Sequence, residues 1–487
     1  MFININKKTK IVCTIGPASQ NKDVLIKMID AGMNIARLNF SHGSYEEHYA
    51  KIVTIREIEK ERGIIIPIML DTKGPEIRTG QFKNGKVDVK TGQIMRVYMD
   101  EIEGDETKFS VTYKGLYDDC SVGAKIRLDD GNLGFEVIEK DPKERCLVIK
   151  ALNHHVIKSE RGVNCPDTHL NMDYISKKDF DDLVWGCKVH VDYVAASFVR
   201  SVKDILDIRK VLDEHGGKDI KIISKVENTE AVACLDDIIE HSDGLMVARG
   251  DLGVEIPAED VPVIQQKMIT KCRKLGKPVI TATQMLDSMQ HNPNPTRAEV
   301  SDVANAISQS SDAVMLSGES AQGEYPVESV SMQAKIAYRM EQFLNYTSLT
   351  REAYDNSNKT MNDAMANAVA ETAILLDAKL IVCFSETGGT ARRLSKCRPI
   401  CPVIDVSNKR SACVNSMMGF GCYPKLVKHV PQFIEDMEVI ALHLAKKLGI
   451  PEGSKIVITG GTPVGAGKTN FMKIISAGRK GKEIDLD

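Results

Sequence analysis

The chain has 487 residues, which at roughly 150 residues per domain suggests about three domains. Its formal net charge of -3 excludes the basic footprint of a nucleic-acid binder. No run of about 18 apolar residues is present, so no membrane span is expected. Apolar residues at 43% and charged residues at 27% are ordinary for a globular protein with ample core material.

Met1 to Lys10 lack the apolar stretch of a signal peptide. Lys10 to Ile15 reads as a strand. Asp23 to Ala31 reads as a helix, with Val24, Leu25, Met28 and Ile29 at helical spacing and Gly32 as its stop. Asn34 to Phe40 and Tyr45 to Arg62 repeat the strand–helix unit. Ile64 to Leu70 is a third strand, ending at Asp71.

From about Lys73 to His169 the rhythm changes. Short strands are expected at Val87–Val89, Ile94–Tyr98, Lys125–Leu128 and Cys146–Ile149, with turns at Asn84-Gly85, Asp130-Gly131 and Asp141-Pro142 and no helical periodicity. This reads as a small β domain inserted after the third strand. Alternation resumes at Lys177, with strands at Tyr193–Phe198, Ile220–Val226, Gly244–Ala248, Val279–Thr283 and Ala313–Leu316. Three units before the insertion and five after it make eight, the count of a TIM (β/α)8 barrel; a doubly wound sheet is the alternative. Past about Thr347, a polar stretch leads to a further α/β segment with strands near Leu380–Phe384, Val403–Val406 and Lys455–Thr459. The expected domains are therefore 1–72 with 170–347 for the barrel, 73–169 for the insertion and 348–487 for the C-terminal α/β domain. The 12 cysteines include no Cys-x-x-Cys pair, and Cys13, Cys187, Cys234, Cys272 and Cys383 sit in apolar periodic segments. They read as reduced core thiols of a cytoplasmic enzyme.

In a barrel the C-terminal strand ends carry the chemistry. In order they present Arg37, Asn39 and Ser41; Asp71 and Thr72; Lys225 and Glu227; Arg249 and Asp251; Thr283; and Ser317 with Glu319. Polar residues at one strand end are ordinary loop chemistry, but so many meeting at one rim point to a site. Glu227 and Asp251 suit Mg²⁺, which takes a few carboxylates plus water and substrate oxygens. Thiolates and imidazoles are missing from these ends, which argues against zinc. Lys225 and Arg37 supply the positive charge that phosphoryl transfer needs. Gly250-Asp251 opens a turn whose N–H groups could bind a carboxylate.

Two motifs fail on inspection. Gly461 to Thr469 is similar to a Walker A loop but has Thr462 where the pattern needs glycine, leaving only a possible phosphate nest. His154-His155 lies without metal-ligand spacing and reads as a solvated pair.

Met69 to Gly80 (Met-Leu-Asp-Thr-Lys-Gly-Pro-Glu-Ile-Arg-Thr-Gly) resembles the signature of the pyruvate kinase family. So do Arg37 to Gly43, Ala248 to Glu255, Thr283 to Leu286 with Pro295 to Glu299, and Met315 to Glu319; the resemblance runs from Thr9 to about Ile475. It implies a glycolytic phosphotransferase moving the phosphoryl group of phosphoenolpyruvate to ADP, with pyruvate and ATP as products. It implies Mg²⁺ (or Mn²⁺) on Glu227 and Asp251, and K⁺ at Asn39, Ser41, Asp71 and Thr72. Lys225 and Arg37 would serve the phosphoryl group, Ala248, Gly250, Asp251 and Thr283 the substrate carboxylate, and Thr283 and Ser317 the proton path. Asn39, His42, Arg78 and Arg161 would meet the nucleotide. Glutamate at the Glu76 position goes with monovalent-cation dependence in the family, and lysine there with independence.

A sugar-phosphate or nucleotide effector is implied at Ser385, Thr387, Gly388, Gly389 and Thr390, which follow a strand and open a helix. Arg392, Arg393, Lys396, Arg398, Lys409 and Arg410 lie near in sequence; a solvated basic face is the plainer reading of them. A cytoplasmic homotetramer is also implied, with no membrane or nucleic-acid partner, no long N-terminal arm and no domain past Asp487. The chain departs from the pattern at Arg161, where lysine is usual, at Cys165, where leucine is usual, and at Ala231, often glycine. Two rivals stand beside this reading. A carbon–carbon bond-forming barrel enzyme acting on the same substrates would not need the insertion or the third domain. A metabolite sensor should have lost Lys225, Glu227 or Asp251, and all are present.

Overall fold

The computed structural model describes residues 5–462, 465 and 467–478. Eight parallel strands close into a barrel: β1 (Lys10–Thr14), β2 (Ile35–Asn39), β3 (Ile68–Asp71), β4 (Tyr193–Ala196), β5 (Lys221–Val226), β6 (Gly244–Ala248), β7 (Val279–Ala282) and β8 (Ala313–Leu316). Each pairs with its sequence neighbours and β8 closes on β1, so the barrel prevails over the doubly wound sheet. The strands are short apolar runs buried along almost their whole length, as parallel strands covered by helices must be.

The connecting helices begin where the sequence supplies caps. Ser44 and Glu47 form a capping box at the start of helix Tyr45–Arg62, which ends at Gly63 in the left-handed region, φ 61°. Asn21 caps helix Lys22–Ala31. The third strand starts later than expected, at Ile68. Pro67 offers no N–H to a ladder, and the Ile66 N–H goes instead to Glu59 Oε1 at 2.6 Å.

After β3 the chain enters a seven-stranded sheet of its own, ordered Ile77–Arg78, Gly162–Asn164, Lys125–Leu128, Leu133–Asp141, Cys146–Ala151, Ile94–Tyr98 and Lys108–Ser110. Strand Lys86–Val89 pairs separately with His155–Lys158. Phe82, Phe109 and Phe135 fill a core distinct from that of the barrel. One short helix, Leu116–Asp119, lies where none was expected.

The third segment builds a five-stranded sheet from β9 (Leu380–Phe384), β10 (Val403–Ser407), β11 (Cys422–Leu426), β12 (Lys455–Gly460) and β13 (Phe471–Ser476). Its order is β11-β10-β9-β12-β13, with only β13 antiparallel. It joins the barrel through polar contacts, one buried and the others half-buried. Arg398 meets Asp312 at 2.6 Å, and Arg410 meets Glu59 at 3.2 Å and Asp192 at 3.1 Å. All twelve cysteines are free, and all but Cys234 are buried. Part of the Walker-like stretch, residues 463, 464 and 466, lies outside the described residues, as do residues 1–4 and 479–487.

Candidate active site

Barrel register brings the charged strand ends together. Asn39 faces Asp71 across the β2–β3 pair, and Arg37 faces Thr14 across β1–β2. Arg37 Nε lies 2.6 Å from Asp71 Oδ2, while its Nη1 donates to Thr14 Oγ1 at 2.7 Å. The other Asp71 oxygen meets Lys225 Nζ at 3.2 Å, and Lys225 meets Glu227 Oε1 at 3.0 Å. The result is a buried array of alternating sign: Arg37, Asp71, Lys225, Glu227.

Burial alone would drive these groups neutral. Arg37 and Lys225 outweigh it at Asp71, whose carboxyl is held below its usual range. At Lys225, burial works against the ammonium, but Asp71 and Glu227 outweigh it and keep the charge on. Glu227 is the exception. Burial exceeds the help of Lys225, and Asp251 repels it, so its carboxyl is raised. Its Oε1 has only the Lys225 ion pair, and Oε2 accepts from the Phe198 N–H at 2.6 Å. Lys225 alone does not offset the cost of burying this carboxylate.

Ser197 sits inside the array. Its hydroxyl lies 2.8 Å from Lys225 Nζ, 3.1 Å from Asp71 Oδ1 and 2.6 Å from the Thr72 carbonyl. It was not among the expected site residues. Its signal is a hydroxyl directly after the apolar run of β4, a strand end that, like that of β1, is missing from the expected set.

Beyond β6 the chain turns at once into helix Arg249–Glu255. The Gly250 N–H donates to Thr283 Oγ1 at 2.8 Å, and that hydroxyl donates to the Ala282 carbonyl at 2.7 Å. Thr283 has φ 65° and Gln284 φ 52°, a strained pair at the end of β7. Arg249 locks the bend: it bonds the Ala282 carbonyl at 3.1 Å, the Thr283 carbonyl at 2.6 Å and Asp302 at 2.7 Å. Ser317 follows β8. Its N–H donates at 2.8 Å to Glu319, which also accepts from the Leu286 N–H at 3.1 Å.

Two clefts open between this rim and the inserted sheet. One, of about 800 Å³, is lined by Asp251 and Glu255 of the barrel, Asp130 and Asn164 of the insertion, and Glu76. The other is lined by Ser41, His42, Lys73, Arg78 and Lys114. His42 and Arg78 thus share a cleft. Arg161 does not line it; its Nε lies 3.5 Å from Asp129 instead. Glu76 is held by Arg78 at 2.7 Å and by Lys73 at 3.9 Å. His154 and His155 pair with Asp88 and Asp129, and among the described residues neither joins a cluster of three groups that could hold a metal.

In the third segment, Ser385 Oγ accepts the Gly388 N–H at 2.9 Å and donates to Asp405 at 2.9 Å. Gly388 has φ 77°, and a Cβ there would lie 2.6 Å from the Ala412 carbonyl, so the turn requires glycine. The Thr387 carbonyl accepts from Asn415 at 2.7 Å, Gly389 opens helix Gly389–Lys396, and Thr390 meets Thr469 at 2.7 Å. The basic residues do not gather here. Arg393 and Lys409 stay near, while Arg410 pairs with the barrel and Arg392, Lys396 and Arg398 line a cleft at the barrel floor.

Comparison with known proteins adds a separate line of evidence. A family model described as "Pyruvate kinase, barrel domain" matches residues 6–330, and one described as "Pyruvate kinase, alpha/beta domain" matches 363–475. The chain is 49% identical over 472 residues to a pyruvate kinase of Geobacillus stearothermophilus, covering 96% of this chain and 80% of that one. It is 49% identical over 473 residues to a pyruvate kinase of Bacillus licheniformis, covering 97% and 81%. A solved structure of a pyruvate kinase from Cryptosporidium parvum superposes with a TM-score of 0.91 at 38% identity, covering 97% of this chain and 96% of that one.

Proposed function

The chain belongs to the pyruvate kinase family, and on that premise we propose how its rim residues move the phosphoryl group of phosphoenolpyruvate to ADP, giving pyruvate and ATP. The observation that carries the reading is the buried array of Arg37, Asp71, Lys225 and Glu227, with Asp251 at its edge. Phosphoryl transfer demands fixed positive charge around the moving group and little covalent help from the protein. Arg37 and Lys225 are those charges, and Asp71 between them sets their spacing. Both cations are largely buried, so neither must shed much water when the transition state forms.

The same neighbours make Lys225 a poor proton donor, because Asp71 and Glu227 hold the proton on it against the effect of burial. Protonation of the enolate falls to the path through Thr283 and Ser317. The substrate carboxylate sits at the turn of Ala248, Gly250 and Asp251. There the Gly250 N–H, which also donates to the Thr283 hydroxyl, would be one of its donors.

Glu227 and Asp251 would hold Mg²⁺ or Mn²⁺, and they fit it: a fully buried carboxylate whose cost of burial the Lys225 ion pair does not offset, with a second carboxylate close enough to repel it. When bound, the divalent ion neutralises charge on substrate oxygens. Asn39, Ser41, Asp71 and Thr72 are an all-oxygen set suited to K⁺, and the pairing of Asn39 with Asp71 supports it. His42 and Arg78, and Asn39 below them, meet ADP. Arg161 contributes charge from its pairing with Asp129 rather than a direct contact.

Residues 1–72 and 170–347 act as the catalytic barrel, 73–169 as a lid over the nucleotide, and 348–487 as a regulatory segment with its effector at Ser385 to Thr390. The enzyme works as a cytoplasmic homotetramer. Tyr338, 49% exposed, and Phe343, 68% exposed, are surface that an oligomer would cover. No helix among the described residues is long and apolar enough to cross a membrane.

The division of labour is tested with Lys225→Met. Phosphoryl transfer should fall by at least about 10²–10³-fold. Exchange of pyruvate methyl protons with solvent should survive. Complete loss of exchange with pyruvate still bound would count against the roles given to Thr283 and Ser317.

A further inference from the structure

The turn that follows β2 carries two of the contacts given above, Ser41 for K⁺ and His42 for the nucleotide, and both line the cleft shared with Lys73 and Arg78. Little holds this turn from within. The Ser41 N–H donates to Asn39 Oδ1 at 3.1 Å, and the His42 N–H reaches the Asn39 carbonyl only at 3.4 Å. Gly43 then reverses the chain at φ 84°. The His42 carbonyl takes no backbone N–H.

Its partner is a side chain. His48, near the start of helix Tyr45–Arg62, lies with Nε2 2.9 Å from that oxygen. A carbonyl can only accept, so Nε2 carries the proton and Nδ1 is bare. Nδ1 is buried with no hydrogen bond, and the residue is 3% exposed. Burial pulls the imidazole below its usual range, which keeps the ring neutral and this one tautomer in place.

The plane of the ring is fixed as well. It stacks on Phe40, with centroids 4.1 Å apart and planes 11° apart, and Phe40 is itself buried. The ring also lies close against the turn: a Cβ on Gly43 would come within 3.3 Å of His48 Nε2. A donor whose ring plane and depth are set by packing fixes the oxygen that it holds.

We propose that His48 is a positioning residue of this enzyme: by donating from Nε2 to the His42 carbonyl, it holds the turn in the shape that presents Ser41 to the monovalent cation and His42 to the nucleotide. This role rests on the contacts proposed for Ser41 and His42. His48 lines neither rim cleft, so it acts through the turn and not on a ligand. Its influence falls on K⁺ and ADP. Phosphoenolpyruvate meets Arg37, Lys225 and the Gly250 turn, none of which His48 bonds.

Steady-state kinetics of the full chain separate this role from simple packing. His48→Phe keeps a stacking ring and removes the donor, whereas His48→Gln keeps an N–H donor without the ring. His48→Leu stands in for His48→Phe if that variant does not fold. Loss of one hydrogen bond should raise KM for ADP and the half-saturating K⁺ concentration about three- to tenfold in His48→Phe. KM for phosphoenolpyruvate, measured at saturating K⁺, should stay within about twofold of the unmodified value. His48→Gln should recover most of the loss. Equal impairment of His48→Phe and His48→Gln, a parallel rise in KM for phosphoenolpyruvate, or an unchanged His48→Phe would each overturn the proposal. His42→Ala, assayed alongside, tests the reading beneath it. A raised KM for ADP in His48→Phe with an unchanged one in His42→Ala would uphold His48 and shift the nucleotide contact from the His42 side chain to the backbone of the turn. An unchanged His48→Phe beside an impaired His42→Ala would overturn the role of His48 alone.

Discussion

Ser197 illustrates how much one hydroxyl can govern at this rim. It touches the ammonium, the carboxylate and the carbonyl that the proposed chemistry relies on, and it is 2% exposed. Ser197→Ala should leave the fold intact, because only one oxygen is removed. It should lower kcat on the order of 10- to 10²-fold, since Lys225 loses its positioning contact. Steady-state kinetics check this, and an unchanged kcat would make Ser197 merely structural. Glu76 gives a second expectation at the same scale. Its carboxylate lines a rim cleft between Arg78 and Lys73, so it adds negative charge near the nucleotide phosphates. A bound K⁺ would offset that repulsion, and a lysine ammonium could take over the task. Activity should therefore be low with only bulky organic cations and strongly raised by K⁺. Glu76→Lys should weaken the dependence. Full activity of the unmodified enzyme without K⁺, Na⁺ or NH₄⁺ would remove the ion-binding role given to Asn39 and Ser41.

Among the elements, β10 carries an anomaly. Asp405 lies in the middle of this strand, fully buried, with Oδ1 bonded to Ser385 at 2.9 Å and Cys383 at 3.3 Å and Oδ2 bonded to nothing. Burial pushes its carboxyl from 3.8 up to about 6. Between those values the folded chain holds a proton that the unfolded chain has released. Unfolding free energy should therefore fall as pH rises through that window, by about 3 kcal/mol in all, and level off above it. Asp405→Asn cannot titrate. Chemical unfolding of both proteins across the window should show the variant gaining on the unmodified chain as pH rises; a constant difference would mean that Asp405 does not titrate there. Element reading from sequence succeeded where end signals or apolar runs are strong, as in helix Tyr45–Arg62, bounded by Ser44 and Gly63, and the apolar strands Gly244–Ala248 and Ala313–Leu316. It missed Leu133–Asp141, whose second half is largely exposed, and Ile77–Arg78, whose two residues are too short to show any period.

For the molecule as a whole, the inserted sheet is the part that can move. It has its own core and joins the barrel by two passages of chain, near Lys73 and near His169. Few bonds hold it against the rim: Arg127 reaches the Val254 carbonyl at 2.6 Å and Asn164 reaches Glu255 at 2.9 Å. Closure over substrate would exclude water and spare the phosphoryl group from hydrolysis. Small-angle scattering should report compaction when Mg²⁺, substrate and nucleotide are added together, and Arg127→Ala should reduce it. One radius in every ligand state would mean a fixed insertion.

Sequence by itself determined the eight-unit rhythm, the interruption after the third strand and the identity of the rim residues. Apolar periodicity and strand-end chemistry are local properties, written within a dozen residues. Lys225, Glu227 and Asp251 could be named because each ends or follows a legible strand. Tertiary structure alone decided which charges meet. Arg37 and Lys225 are far apart in the chain, and only closure of the barrel sets Asp71 between them. It also separated residues that sequence places side by side. Arg392 and Arg393 are neighbours, yet helical rotation sends one to the barrel floor and the other to the nest, so charge spaced along a chain does not reveal the cavity that it lines.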